Sequence, residues 1–102
     1  SLHVSLDKTQ IVADGTDTFT ATVQVRRGDV VDTDAATMTH YVPVLGIDGV
    51  QYDLLKVIVE NGEGSVTWAT DRPGIYTVDL DKMRPVPSLP LPEPIEVIAT
   101  KP

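Results

Sequence analysis

Hydrophobic and polar residues alternate along much of this chain with a period of two. Phe19, Ala21, Val23 and Val25 interleave with Thr18, Thr20, Thr22 and Gln24, the pattern of a strand with one face buried and the other in water. Leu2, Val4 and Leu6 repeat it around His3 and Ser5. Further along, Leu55, Val57 and Val59 share a face, as do Val66 and Trp68, then Tyr76, Val78 and Leu80, then Ile95, Val97 and Ala99. The intervals hold Ala13-Asp14-Gly15-Thr16-Asp17, Arg27-Gly28-Asp29, Gly46-Ile47-Asp48-Gly49, Asn61-Gly62-Glu63-Gly64 and Asp71-Arg72-Pro73-Gly74, residues that preset or tolerate turn dihedrals. No window of about ten residues shows a helical apolar stripe.

About seven short strands with frequent turns match the profile of an immunoglobulin-like antiparallel β-sandwich, and a small barrel is the competing closure. The run Asp71-Arg72-Pro73-Gly74-Ile75-Tyr76-Thr77-Val78 favours the sandwich, because it resembles the Asp-x-Gly-x-Tyr-x-Cys run at a strand corner of immunoglobulin domains. The resemblance implies a structural tyrosine corner of Asp71, Gly74 and Tyr76, with the Tyr76 hydroxyl bonding back to nearby backbone. It also places Val78 where antibody domains carry a disulfide cysteine, with Ala21 or Val23 as its partner across the core. Trp68 departs from the antibody pattern by lying just before the corner. Phe19, Val23, Trp68 and Val78 are the expected core.

A narrower likeness runs through Ala13-Asp14-Gly15-Thr16-Asp17-Thr18-Phe19-Thr20-Ala21-Thr22-Val23, Gly28-Asp29-Val30-Val31, Asn61-Gly62-Glu63-Gly64 and Gly74-Ile75-Tyr76-Thr77-Val78. This order resembles the bacterial Ig-like domains of the invasin and intimin type, and is equally similar to phage and other virion Ig-like modules. Two parts depart from that pattern: Tyr41 to Asp53, which is hard to align, and a Pro-rich insertion at 84–94 before the last strand. The resemblance implies a non-catalytic module of a larger extracellular, cell-surface or virion protein, serving as a spacer or in protein–protein attachment. Its partners would be neighbouring domains of the same protein. The second reading is an accessory domain that binds carbohydrate or a host receptor.

Composition narrows the classes. At 102 residues the chain fits a single domain, 1–102, with a real core. A formal net charge of -7 repels a nucleic-acid backbone. No apolar run approaches the roughly 20 residues of a membrane span. The absence of cysteine excludes disulfides and thiolate metal sites and leaves the compartment open. A start at Ser-Leu-His-Val, with no leader pattern, suggests a piece of a longer protein.

Three motifs carry candidate chemistry. Arg27-Gly28-Asp29 is the triplet that integrins read; the same residues make a turn in which Gly28 supplies a positive φ and Asp29 bonds backbone N–H groups, and the turn is the reading adopted. Arg84-Pro85-Val86-Pro87-Ser88-Leu89-Pro90 fits a polyproline recognition pattern, but is read as a stiff loop. The acidic groups Asp29/Asp32/Asp34, Asp79/Asp81 and Asp48/Asp53 lack calcium-loop spacing and are read as solvated carboxylates. No catalytic motif, metal-ligand set or cofactor signature is present in the sequence, so an enzyme is not expected. His40, alternating with Met38 and Val42, is expected on a partly covered strand face. Tyr41 and Tyr52 are left open as outer-face aromatics able to stack a sugar ring, whereas Trp68 is expected in the core.

Overall fold

A computed structural model describes residues 1–86 and 91–102. Its strands are β1 (Leu2–Leu6), β2 (Gln10–Val12), β3 (Phe19–Arg27), β4 (Val30–Val31), β5 (Met38–Leu45), β6 (Gln51–Val59), β7 (Glu63–Trp68), β8 (Gly74–Val78) and β9 (Ile95–Thr100), with one turn of 3₁₀ helix at Leu80–Lys82. The chain is therefore all-β. Nine strands among the described residues replace the expected seven or so, because β2 and β4 are too short for alternation to register.

The strands form two sheets. In one, β3 lies between β1 and β7 and also pairs with β4; the other has the order β2-β9-β8-β5-β6. β1 is antiparallel to β3, with Leu2 opposite Val25 and Leu6 opposite Ala21. The chain then breaks at Asp7, crosses to the second sheet without reversing, and β2 runs parallel to β9. That crossing corrects the expectation of an antiparallel fold throughout. Asp7 secures the break by accepting the Thr20 N–H at 2.7 Å.

The inward faces of both sheets feed one core. Phe19, Ala21 and Val23 of β3 meet Val42 and Val44 of β5, Val57 and Val59 of β6, Trp68, Tyr76, Val78 and Val97, all buried. Phe19 packs on Trp68 with ring centroids 5.6 Å apart, and Trp68 meets Tyr76 edge-on at 5.1 Å. His40, expected on a partly covered face, is 1% exposed. Its Nδ1 lies 2.9 Å from the Pro85 carbonyl, which can only accept, so Nδ1 carries the proton and holds the Arg84–Pro85 segment against β5. Arg84 and Tyr41 exchange two backbone bonds at 2.7 and 3.0 Å, extending the sheet where β8 has ended.

The chain's ends lie at opposite poles of a body 42 × 23 × 20 Å. At one pole the Ser1 amino group and carbonyl exchange bonds with Arg26, both 2.7 Å, beside the β3–β4 turn. At the other, Thr100 pairs with Val12 and its carbonyl accepts the Ala13 N–H at 2.8 Å. Part of the 84–94 loop, residues 87–90, falls outside the described residues, and with it most of the polyproline pattern.

Candidate functional site

The Arg27-Gly28-Asp29 triplet forms the tip of the β3–β4 hairpin, where Arg27 pairs with Val30 across a two-residue turn. Gly28 has φ +64° at the first central position, the order of a type II′ turn, and nothing approaches the space its side chain would fill. Arg27, Asp29 and Val30 are all exposed, and the Arg27 guanidinium reaches Asp32 at 3.5 Å. The triplet thus stands at the pole that bears Ser1.

The opposite pole is concave. The β5–β6 turn at 46–50 and the corner at 71–76 enclose an open hollow of about 360 Å³, rimmed by Ile47, Val50, Tyr52, Arg72, Pro73 and Ile75. A second hollow, of about 580 Å³, adjoins it across Tyr52 and Arg72 and continues to Gly15, Asp53 and Asp71. Gly46 and Gly49 close the turn by backbone bonds, with φ +78° at Gly49, while Asp48 accepts the Val50 N–H at 3.1 Å. Among the described residues no carboxylate pairs with the Arg72 guanidinium.

The corner is built on Tyr76. Its hydroxyl donates to the Arg72 carbonyl at 2.6 Å, and burial pushes its pKa up from the ordinary phenol value. A side chain added at Gly74 would meet the Tyr76 ring at ordinary contact distance, and Asp71 is exposed. The Thr70 carbonyl accepts the Gly15 N–H at 3.0 Å and ties this corner to the Asp14 loop. Phe19, Val23, Trp68 and Val78 are all buried.

The two open aromatics separate. Tyr41 is on the outer face, beside Arg84. Tyr52 is turned the other way by a bulge: β5 and β6 pair Val44 with Asp53 but Leu45 with Gln51, leaving Tyr52 as the extra residue. Its ring then stands 5.0 Å from Tyr76 and 6.1 Å from Trp68, and its hydroxyl is 2.9 Å from Thr70 Oγ1. Asp53, still in regular register opposite the buried Val44, lies under the Trp68 indole, whose N–H donates to it at 2.8 Å. Strict alternation cannot reveal this, since a bulge breaks the period; the apolar Ile47 inside a Gly-x-Asp-Gly turn was the available signal for an exposed tip.

Several carboxylates are bonded, the turn residues Asp14 and Asp17 and, of those read as solvated, Asp79. Asp14 accepts N–H bonds from Thr16 and Asp17 at 2.9 and 2.8 Å, which hold its pKa below the usual carboxylate value. Asp17 is lowered by Lys8 at 2.7 Å and by the Val12 N–H, and the same contact raises Lys8. Asp79 is buried beside Lys82; its hydrogen bond with Asp81 lowers Asp79 and raises Asp81. These groups brace turns. Among the described residues no three side chains gather as metal ligands would, and no helix is long and apolar enough to cross a membrane.

The outer edge of β6 is partly guarded. Tyr41 spends both backbone groups on Arg84, so its partner Lys56 points N–H and C=O away from β5, as do Leu54 and Ile58 two residues to either side. Asp53 Oδ1 accepts the Leu54 N–H at 2.7 Å, and Gly64 closes over the Ile58 carbonyl. Among the described residues of this edge, the Lys56 stretch alone stays open to another strand.

No family model, curated protein or solved structure matches the chain.

Proposed function

We propose that this chain is an immunoglobulin-like β-sandwich module of a larger cell-surface or virion protein, of the bacterial Ig-like kind, that works as a spacer or in protein–protein attachment. The observation that carries the reading is the placement of Ser1 and Thr100 at opposite poles of a 42 Å body, which lets such units be strung in series. The sheet order supports the sandwich: the chain leaves β1, crosses to β2 in the other sheet, returns for β3 and β4, passes to β5 and β6, returns again for β7, and ends with β8 and β9. The Tyr76 hydroxyl bonded four residues upstream has the geometry of a tyrosine corner. No catalytic step belongs to this reading.

The second reading is a receptor- or carbohydrate-binding accessory domain. Exposure of the Arg27-Gly28-Asp29 tip favours its receptor branch, whereas the carbohydrate branch weakens because Tyr41 and Tyr52 do not line one face. A binding screen of the isolated domain against integrins and glycans, with Asp29→Ala alongside, separates the two. The spacer reading expects no binding by either protein. Integrin binding that Asp29→Ala abolishes overturns it.

A further inference from the structure

Among the described residues, the most exposed large apolar side chains are at the two poles. Ile47 is 79% exposed, Val50 63% and Val30 70%, whereas no large apolar residue on the sheet faces exceeds 47%. Ile47 and Val50 rim the hollow, and Val30 follows the Arg27-Gly28-Asp29 turn at the far end. A convex tip and a concave receptor thus sit at opposite ends of one molecule, the arrangement that makes a head-to-tail contact.

We propose that the β3–β4 tip of one copy docks into the hollow of a second copy of this chain, end to end. Val30 enters between Ile47, Val50 and Ile75. Arg27, whose side chain is 80% exposed and reaches Asp32 only at 3.5 Å, faces Asp48, and Asp29 faces Arg72, with which no carboxylate pairs among the described residues. The tip and the hollow each carry one cation and a carboxylate, so docking matches charges of opposite sign without requiring either end to be basic overall. A hollow of about 360 Å³ holds roughly a dozen waters, which is room for the few side chains of a hairpin tip. The direction agrees with the backbone: β9 ends at the hollow, and Ser1 lies beside the tip, so docked copies run in one sense along a line.

This contact rests on the serial-module reading for its purpose, but its geometry is tested independently. The area is that of a hairpin tip, well below the roughly 1,200 Å² of a standard interface, so association between separate copies is weak and is best caught covalently. The chain has no cysteine, which leaves introduced thiols unopposed. Val30→Cys on one batch and Val50→Cys on another, mixed under mild oxidation, should cross-link about tenfold faster than Val30→Cys mixed with Ile58→Cys, because docking raises the local thiol concentration. Arg72→Glu in the Val50→Cys partner should abolish the advantage. Circular dichroism checks that each variant is folded, and all four positions are exposed. Equal rates for the two mixtures, or an advantage that survives Arg72→Glu, overturn the proposal. Either result leaves the opposite placement of the chain ends, and hence the module reading, intact.

Discussion

Gly28 and Gly62 both hold φ in the left-handed region, at +64° and +81°, yet they answer to different constraints. Gly28 closes a hairpin tip with open space around it, so a methyl group there meets only backbone strain, about 1–3 kcal/mol. Gly62 follows Asn61, itself at φ 52°, and the pair has the Asn-Gly chemistry of a type I′ turn joining β6 to β7. A methyl on Gly62 also runs into the Asp32 carbonyl. Gly62→Ala should therefore cost at least about 1 kcal/mol more than Gly28→Ala, the extra being the overpacking penalty. Urea unfolding of the two variants checks it; equal midpoints would show that the Asp32 contact does not constrain the fold.

At the scale of elements, strand existence was legible wherever alternation ran for three residues or more, as in β1, β3 and β5 to β9, since burial of one face imposes that period. The glycine-bearing turns were legible too, because left-handed φ values leave few residue choices. What escaped depends on contacts that a linear pattern does not hold. β2 and β4 are defined by their partners, Tyr52 is re-aimed by a bulge, and His40 is covered by a segment more than forty residues away. The tip of the candidate interface, Arg27-Gly28-Asp29-Val30, stood out in the sequence; its receptor did not, because Arg72 and Ile47 meet only when two distant turns fold onto one pole.

The segment from Asp7 to Thr20 holds two carboxylates, Asp14 and Asp17, whose hydrogen bonds make its stability depend on pH. Asp14 and Asp17 have folded pKa values below the unfolded 3.8, and so does Asp79, so each stabilises the fold above that value and loses its contribution as pH falls through the lowered one. Asp81, raised, acts in the opposite sense and offsets part of the loss. Lys8, raised above 10.5, contributes below that value and loses its contribution as pH climbs past the folded one. The urea midpoint should fall between about pH 5 and pH 2, and Asp17→Asn should flatten that limb and lower the plateau above it. A variant with the wild-type acid profile would remove the Lys8–Asp17–Val12 linkage from the account.

For the whole molecule, length without breadth is the property on which the proposed role turns. Two sheets around one core give a body about twice as long as it is wide, and the chain enters and leaves at its ends. Its stability comes from packing with no disulfide, so the same rod forms in oxidising and reducing surroundings. The most direct measurement is small-angle X-ray scattering from copies joined in one chain, Pro102 of each fused to Ser1 of the next. A serial module predicts that the maximum dimension grows by close to 42 Å for each added copy; growth nearer the 20–23 Å thickness of the body would mean that the units stack side by side, and would contradict it.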